Sequence, residues 1–575
     1  MTSSIDQELI IYGGDLKIPP CERNFSQFLL DKMLKNANKV AQIDPVNKKS
    51  QTFGELRLNS IRCALKMKQD GLKRGDIIMI CGRNHLDLIV PLLGAMYLGV
   101  TVNPLHPDYS RNEILRMIKL IEPKIIFCDQ ESTNLMTELI TEAELQIKTV
   151  TFETDFKSYL KPHKSTEEDN FESEIVDVSN DILCIICTSG TTGLIKGVTI
   201  THKAFYISLQ TSGLGSISDS DSQLLYYSPL SWITALRFIN TAIWNGVSRI
   251  VCEYEPKRNL EIMLEYNISW LFLTPIKAFE MVNHPLFKQN ISKISKNLKY
   301  FRFSGSPSLE KHVQEYHQIF PNTFILNGYG SSEMAGCHGL FVRNKHESML
   351  KQKIMSSGQP LAGAYWKIID PQTGKTVGRN KEGELCIKSP TLTKGYYNDP
   401  EATAKAIIGG WFHTGDIVKV DDENCLWVVG RSKELLKYKG WQVSPSELED
   451  VLRTHPAVQA VSVMGKPHET DGDLPLAFIV KKESAKNVTE DEIIEFVDSQ
   501  VANYQKLRGG VIFLDALPVT TTGKIRKMSR IMKIYKHLLG GLYEPTETKL
   551  GKMKLELKPV SYSNRSPVVF TIDAH

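Results

Sequence analysis

Thr188-Ser189-Gly190-Thr191-Thr192-Gly193-Leu194-Ile195-Lys196-Gly197 is the segment around which this chain reads. Asp181-Ile182-Leu183-Cys184-Ile185-Ile186-Cys187 precedes it, a short apolar run that predicts a buried strand. The β-branched Val198-Thr199-Ile200-Thr201 follows and predicts a second strand. Between them lie four hydroxyl side chains, three glycines and one lysine. Such a loop offers rotatable O–H donors, backbone N–H groups that can approach closely, and a point positive charge. Those groups suit a polyphosphate, although Gly/Ser/Thr-rich turns also join strands without binding anything. A Walker loop is excluded by residue identity. Counting from Gly190, Ile195 stands at the second glycine position, and Gly197 follows the lysine where Ser or Thr is required. Nor does a helix clearly follow, so that motif's helix-dipole cradle is missing.

Working outward, residues 20–130 alternate helical and strand patterns. Phe25–Leu34 and Leu56–Gly71 read as helices, Asp76–Ile80 as a strand and Leu86–Leu98 as a helix. Gly99–Pro104 reads as strand into turn, Tyr109–Glu113 opens a helix, and Lys124–Cys128 is a strand. The alternation recurs over 203–345, with strands at Ser248–Cys252, Ser269–Leu273, Tyr300–Phe303 and Thr323–Leu326 and helices at Asn259–Tyr266 and Leu309–Phe320. Such alternation predicts α/β layers whose ligands bind at strand C-terminal ends. After residue 350 short strands and glycine turns predict an antiparallel β-rich section. Beyond a basic linker near Gly430–Gly440 a compact α+β pattern begins at Ser444-Pro445-Ser446-Glu447, where N-cap serine, N1 proline and N3 glutamate predict a capping box. The domain boundary falls near Arg431–Lys433.

The 575 residues exceed a domain of roughly 100–150 residues several-fold, so at least two domains are required. A hydrophobic content of 42% and a charged content of 23% are those of a soluble globular protein. A net charge of +4 predicts no nucleic-acid partner. The ten cysteines are scattered, many in apolar runs, which predicts reduced core thiols and a reducing compartment. Cys184 and Cys187 form a C-x-x-C without a second pair at metal spacing, so core packing is their expected role. The N-terminus has no signal-peptide pattern. The most apolar window, Leu86–Val102, is too short for a bilayer of ~30 Å and is broken by Asp87 and Pro91, so no transmembrane segment is expected.

Four further stretches carry chemistry. Gly328-Tyr329-Gly330-Ser331-Ser332-Glu333 combines glycines that allow close approach, an aromatic ring that can stack, and a carboxylate suited to Mg²⁺. Trp411-Phe412-His413-Thr414-Gly415-Asp416 places a carboxylate in a turn, able to accept two hydrogen bonds from a ribose diol. Gly430–Gly440 is dense in cations, and Thr520-Thr521-Thr522-Gly523-Lys524 presents one lysine on a polar loop.

In this order and spacing the motifs closely resemble the adenylate-forming superfamily of acyl-CoA synthetases, 4-coumarate–CoA ligases and beetle luciferases, from about residue 20 to about residue 540. The resemblance implies an α/β and α+β multidomain fold. A large N-terminal domain, 1–432, would hold two α/β subdomains plus a β-barrel part. A small mobile α+β domain, 433–545, would cap the site, and 546–575 would be a flexible extension. It also implies the chemistry: ATP and Mg²⁺ activate a carboxylic acid as its acyl-adenylate, and coenzyme A then displaces AMP. The implied ATP-binding residues are Thr188, Ser189, Gly190, Thr191, Thr192, Gly193 and Lys196 at the β- and γ-phosphates. Ser304, Gly305, Ser306, Gly328, Tyr329 and Gly330 would line the adenine and acyl sites, with Asp416 and Arg431 at the ribose.

The implied catalytic residues are Ser332, Glu333 as the Mg²⁺ ligand, Lys524 for adenylation and Lys437 for the thioester step. Lys433 is the implied hinge between the two poses. Ser332 stands where the family usually has threonine, and Ile195 where it usually has proline. Ser231-Trp232 replace a common histidine, and Ser208 stands where beetle luciferases carry arginine. Trp232 and Gly330 would shape the acyl pocket, Trp232 either as a core aromatic or as the gate of a fatty-acyl tunnel. These departures point to a medium- or long-chain fatty acid, with an aryl-CoA ligase, a luciferase-like monooxygenase and a non-catalytic nucleotide-binding relative as alternatives. The C-terminus has no serine-lysine-leucine address, so cytoplasmic localisation is the expectation. Oligomeric state is not readable.

Overall fold

A computed structural model describes residues 9–18, 25–189, 195–211, 222–305, 308, 310–343, 345–431, 436–438, 441–468, 471–485, 487–517, 543–547, 553–557 and 569–572. The chain divides into two compact units, Met1–Thr188 with Ile195–Val428 and Ser189–Leu194 with Val429–His575.

The first unit contains two largely parallel sheets. One runs in the order Lys148–Thr151, Ile125–Cys128, Ile77–Cys81, Thr101–Leu105, Ile182–Ser189, Ile195–Thr201. The other runs Phe324–Asn327, Tyr300–Phe303, Ile268–Leu273, Gln223–Tyr226, Ser248–Ile250, Val40–Asp44, Lys49–Thr52, parallel except for its last pair. Residues of both sheets, Ile78, Val102 and Ile186 from one and Leu224, Trp270 and Phe272 from the other, share a single apolar core. The helix Ile233–Asn245 joins that core and is buried almost all round from Ile233 to Ile243. An apolar helix buried on every face forms only where layers enclose it.

Local signals explain the helix starts. Ser110 caps Arg111–Ile121 and Thr52 caps Phe53–Gln69, each in a complete capping box with Glu113 and Glu55. Leu86–Leu98 is a 3₁₀ turn, Leu86–Leu88, followed by the α-helix Ile89–Tyr97. Pro91 fits there because the first-turn N–H groups need no helical partner. The returning strand is longer than expected: Ile195, Lys196 and Gly197 belong to it, not to the loop. Ile195 is buried, and a Cβ on Gly197 would come within 2.6 Å of Ile185 Cγ2, so the neighbouring strand holds these residues in line. A helix, His202–Thr211, does follow, but only after that strand.

Past residue 350 a six-stranded antiparallel sheet is built from Ile11–Tyr12, Tyr365–Ile369, Glu382–Lys388, Trp411–Val420 and Ile407–Ile408, with Leu426–Arg431 pairing Trp411–Val420. Its described pairings do not close on themselves, so the part expected as a barrel is an open sheet among the described residues. A three-stranded sheet, Tyr329–Ser331, Gly336–Leu340 and Gln359–Pro360, carries the Gly328–Glu333 motif.

The second unit is α+β. Its five-stranded sheet has Val458–His468 and Gly472–Lys481 at its centre, with the helices Pro445–Arg453 and Glu490–Asp498. The capping box expected at Ser444 is absent. Ser444 Oγ instead donates to Val429 O at 3.3 Å, and Glu447 accepts from Gln505 Nε2 at 2.8 Å, so both partners are engaged elsewhere. The segment expected as an extension contributes to an antiparallel sheet of Tyr543–Glu547, Met553–Leu557 and Val569–Ile572. The alternation Met553-Lys554-Leu555-Glu556-Leu557 has the two-residue period that strands require. Nine described cysteines are free and buried. Cys184 and Cys187 face different apolar cores, as a three-residue offset in a strand dictates, so they cannot ligate one metal. No described helix is long and apolar enough to cross a membrane.

Candidate active site

The strand Ile182–Ser189 delivers Thr188, half-buried, to the loop. Asn103 Nδ2 on the adjacent strand donates to Ile185 O at 2.8 Å and holds this end in register. The side chain of Ser189 and residues Gly190, Thr191, Thr192 and Gly193 lie outside the described residues. Lys196 is half-buried on the returning strand, and its ammonium stands 5.0 Å from the centroid of the Tyr396 ring. A cation over an aromatic face is attracted by the ring quadrupole.

Tyr396 links this lysine to the glutamate motif, which is remote in sequence. Its hydroxyl donates to Glu333 Oε1 at 3.1 Å. Backbone bonds fix the same segment: Tyr397 N to Gly197 O at 2.7 Å, and Thr393 N to Glu333 O at 2.7 Å. One aromatic ring therefore has the loop cation on its face and the motif carboxylate on its hydroxyl. Neither Tyr396 nor Thr393 was expected as a site residue. The signal available was the Gly395-Tyr396-Tyr397 turn ahead of the Asp399-capped helix Pro400–Ala406.

Glu333 sits in the 3₁₀ turn Ser332–Met334, closed by Ala335 N donating to Ser332 O at 3.0 Å. Ala335 adopts φ of 52°, and Ser208 Oγ donates to its carbonyl at 2.7 Å. The glycines before it answer to close packing. A Cβ on Gly330 would lie 1.9 Å from Gly336 O, and one on Gly328 would lie 2.6 Å from Arg302 Nη2. Ser304 Oγ donates to Gly328 O at 2.8 Å, tying two strand ends together, while Gly305 is exposed beside it and Ser306 lies outside the described residues.

Tyr329 Oη donates to Asp416 Oδ2 at 2.6 Å. Asp416 is buried, and its turn is held by Asp416 N to Thr414 Oγ1 at 3.1 Å and by Gly415 N to Glu384 Oε1 at 3.0 Å. The phenol thus reaches the carboxylate read from sequence as the ribose acceptor. Trp232 is half-buried at the N-cap of Ile233–Asn245, with its indole N–H enclosed and unpartnered.

The second unit holds the other expected residues. Arg431 ends the strand Leu426–Arg431 and is exposed, and Lys437 lies in Leu436–Tyr438 with its side chain outside the description. Lys433 and Lys524 lie outside the described residues.

Glu333 offers a carboxylate, which fits Mg²⁺, an ion that keeps several waters and takes one or two carboxylates plus phosphate oxygens. A second donor set, Glu384, Cys386 and His413, clusters within 4.8 Å. Burial pushes the Cys386 thiol up to about 12, and Glu384 Oε1 already accepts from Gly415 N at 3.0 Å.

Residues 30–397 match the family model of the AMP-binding enzymes, and residues 447–524 match that of the AMP-binding enzyme C-terminal domain. The chain is 30% identical over 538 residues to 4-coumarate–CoA ligase 3 of Oryza sativa subsp. japonica, covering 91% of this chain and 95% of that one. It is 31% identical over 507 residues to luciferin 4-monooxygenase of Photinus pyralis, covering 84% and 89%. Among solved structures, ATP-bound MatB from Rhodopseudomonas palustris superposes with a TM-score of 0.78 at 22% identity over 89% of this chain and 99% of that one, a likeness of fold.

Proposed function

Because this chain belongs to the AMP-binding enzymes of the adenylate-forming superfamily, we propose that it is an ATP- and Mg²⁺-dependent acid–CoA ligase that releases AMP and pyrophosphate. The observation that carries the reading is the Lys196–Tyr396–Glu333 connection. It sets a cation for phosphate and a carboxylate for Mg²⁺ around one ring.

In this reading the Thr188–Lys196 segment holds the pyrophosphate leaving group, and Glu333 anchors Mg²⁺, which neutralises charge on the phosphates when bound. Tyr329 positions Asp416 for the ribose hydroxyls, and Arg431 joins it there. Lys524 steadies the attacking carboxylate, and Lys437 serves the thioester step after the second unit turns about Lys433. We infer a medium- or long-chain fatty acid as substrate from the apolar course of Ile233–Asn245 and the indole at Trp232. The similarity to 4-coumarate–CoA ligases favours a second reading, an aryl acid.

A panel of fatty and aryl carboxylates assayed for ATP-dependent pyrophosphate release, with and without coenzyme A, decides between them. Release that requires both the acid and Mg²⁺ is expected. If no carboxylate stimulates release, the ligase reading fails.

A further inference from the structure

Arg237 lies in the middle of the apolar helix Ile233–Asn245 and is only 3% exposed. Its Nη2 donates to the Ser208 carbonyl at 3.3 Å. Its Nη1 lies against Gly336, where a Cβ would meet it at 2.0 Å, so this position is kept without a side chain to admit the guanidinium. Among the described residues no carboxylate pairs with it, and its ionisable neighbours are Cys337 and a second arginine, Arg302. Arg302 is 8% exposed, packs against Gly328, and has its Nε enclosed without a partner.

The two guanidinium groups flank the hairpin that presents Glu333, since Ser331 pairs with Gly336 and Gly330 with Cys337. Burial and then Arg302 pull Arg237 down to about 10, which leaves it charged at neutral pH. His338, one strand step along from Gly336, is held near 3 by burial and Arg237 and is therefore neutral. Two buried like charges without a counter-ion are costly, and a bound anion removes the cost.

Resting on the ligase reading, we propose that Arg237 and Arg302 form a buried cradle for a second carboxylate at the far end of the acyl substrate, so that the preferred acid is an α,ω-dicarboxylic acid. A nucleotide phosphate suits the place less well. In the ligase reading the phosphates go to Thr188–Lys196, whereas Arg237 is buried in the apolar helix Ile233–Asn245 behind Gly336, on the hairpin next to the Gly330 read as acyl-pocket lining. The planar fork of arginine matches a carboxylate in two-point contact.

The test compares a length series of diacids with their monomethyl esters and chain-matched monoacids in pyrophosphate release. Wild-type protein is expected to prefer one diacid over its ester by about ten- to a hundredfold in kcat/KM, mostly through KM. Arg237→Met should erase that preference, Arg237→Lys should retain part of it, and Arg302→Met should weaken it. Equal use of diacid and ester by the wild type overturns the proposal. So does an Arg237→Met that depresses all acids alike, or one that raises the KM of ATP instead. Thermal shift with diacid alone separates the two readings. If no acid is turned over, the ligase reading fails, and the cradle then stands only if the diacid stabilises wild type and not Arg237→Met.

Discussion

Tyr329 Oη and Asp416 Oδ2 are 2.6 Å apart, a bond between residues that are remote in sequence and belong to different sheets of the first unit. It sets the orientation of a buried carboxylate before any nucleotide arrives. Tyr329→Phe should raise the KM for ATP by about tenfold, the scale of a hydrogen bond to a buried charge. Asp416→Asn should raise it further. Steady-state pyrophosphate release measures both, and an unchanged ATP KM in Tyr329→Phe would falsify the positioning role.

Tyr396 is predicted to act through two separable contacts. Tyr396→Phe keeps the ring under the Lys196 ammonium but loses the bond to Glu333, so the Mg²⁺ concentration for half-maximal rate should rise by about threefold to tenfold. Tyr396→Ala also loses the cation–ring contact, worth about 0.5–1 kcal/mol, and should add a rise in ATP KM. Identical Mg²⁺ titrations for wild type and the Phe variant would count against the arrangement.

Glycines inside and outside the motif differ in what they tolerate. Gly330→Ala drives a Cβ to 1.9 Å from the Gly336 carbonyl and should cost at least about 1–3 kcal/mol, seen as a lower Tm. Gly378→Ala meets nothing within 4 Å at an ordinary φ and should be neutral or slightly stabilising. Equal Tm values for the two variants would show that the hairpin relaxes.

Two histidines make the fold acid-sensitive. Burial holds His202 down to about 4 and His338, beside Arg237, down to about 3. A base whose folded pKa is depressed contributes stability that is present above its unfolded pKa of about 6.5 and lost as pH falls through the folded value. Stability should therefore fall from about pH 6.5 towards pH 3, with a slope of at most about 1.4 kcal/mol per pH unit per histidine. His338→Gln should remove its share of that slope in denaturant melts across this range. An unaltered pH profile would show that His338 protonates freely in the fold.

The two lysines of the second unit should divide the reaction. Lys524→Ala is expected to lose adenylation yet convert supplied acyl-adenylate to thioester, and Lys437→Ala to do the reverse. Parallel loss of both half-reactions in either variant contradicts the two-pose reading.

The motifs of the candidate site could be picked out in the sequence because each is local. Gly328–Glu333 and His413–Asp416 each place their donors within one turn, so residue type and spacing reveal them. Strand and helix positions were legible for the same reason, since periodicity and capping boxes such as Ser110–Glu113 act over a few residues. The exceptions have tertiary causes. The Ser444 box failed because Ser444 and Glu447 found tertiary partners, and Ile195–Gly197 was drawn into a strand by its neighbour.

What the sequence determined by itself was the order of its motifs, the α/β and α+β texture of its parts, and the phosphate-suited character of Thr188–Lys196. Only the tertiary structure placed Val40–Asp44 in the second sheet beside Ser248–Ile250, joined Tyr329 to Asp416, and set Tyr396 between Lys196 and Glu333. It alone also revealed Arg237 as a buried charge against Gly336, where the sequence shows one arginine in an apolar helix. The physical reason is range. Propensity and capping act over a few residues, whereas which strands pair and which buried groups meet depends on how distant segments close a common core.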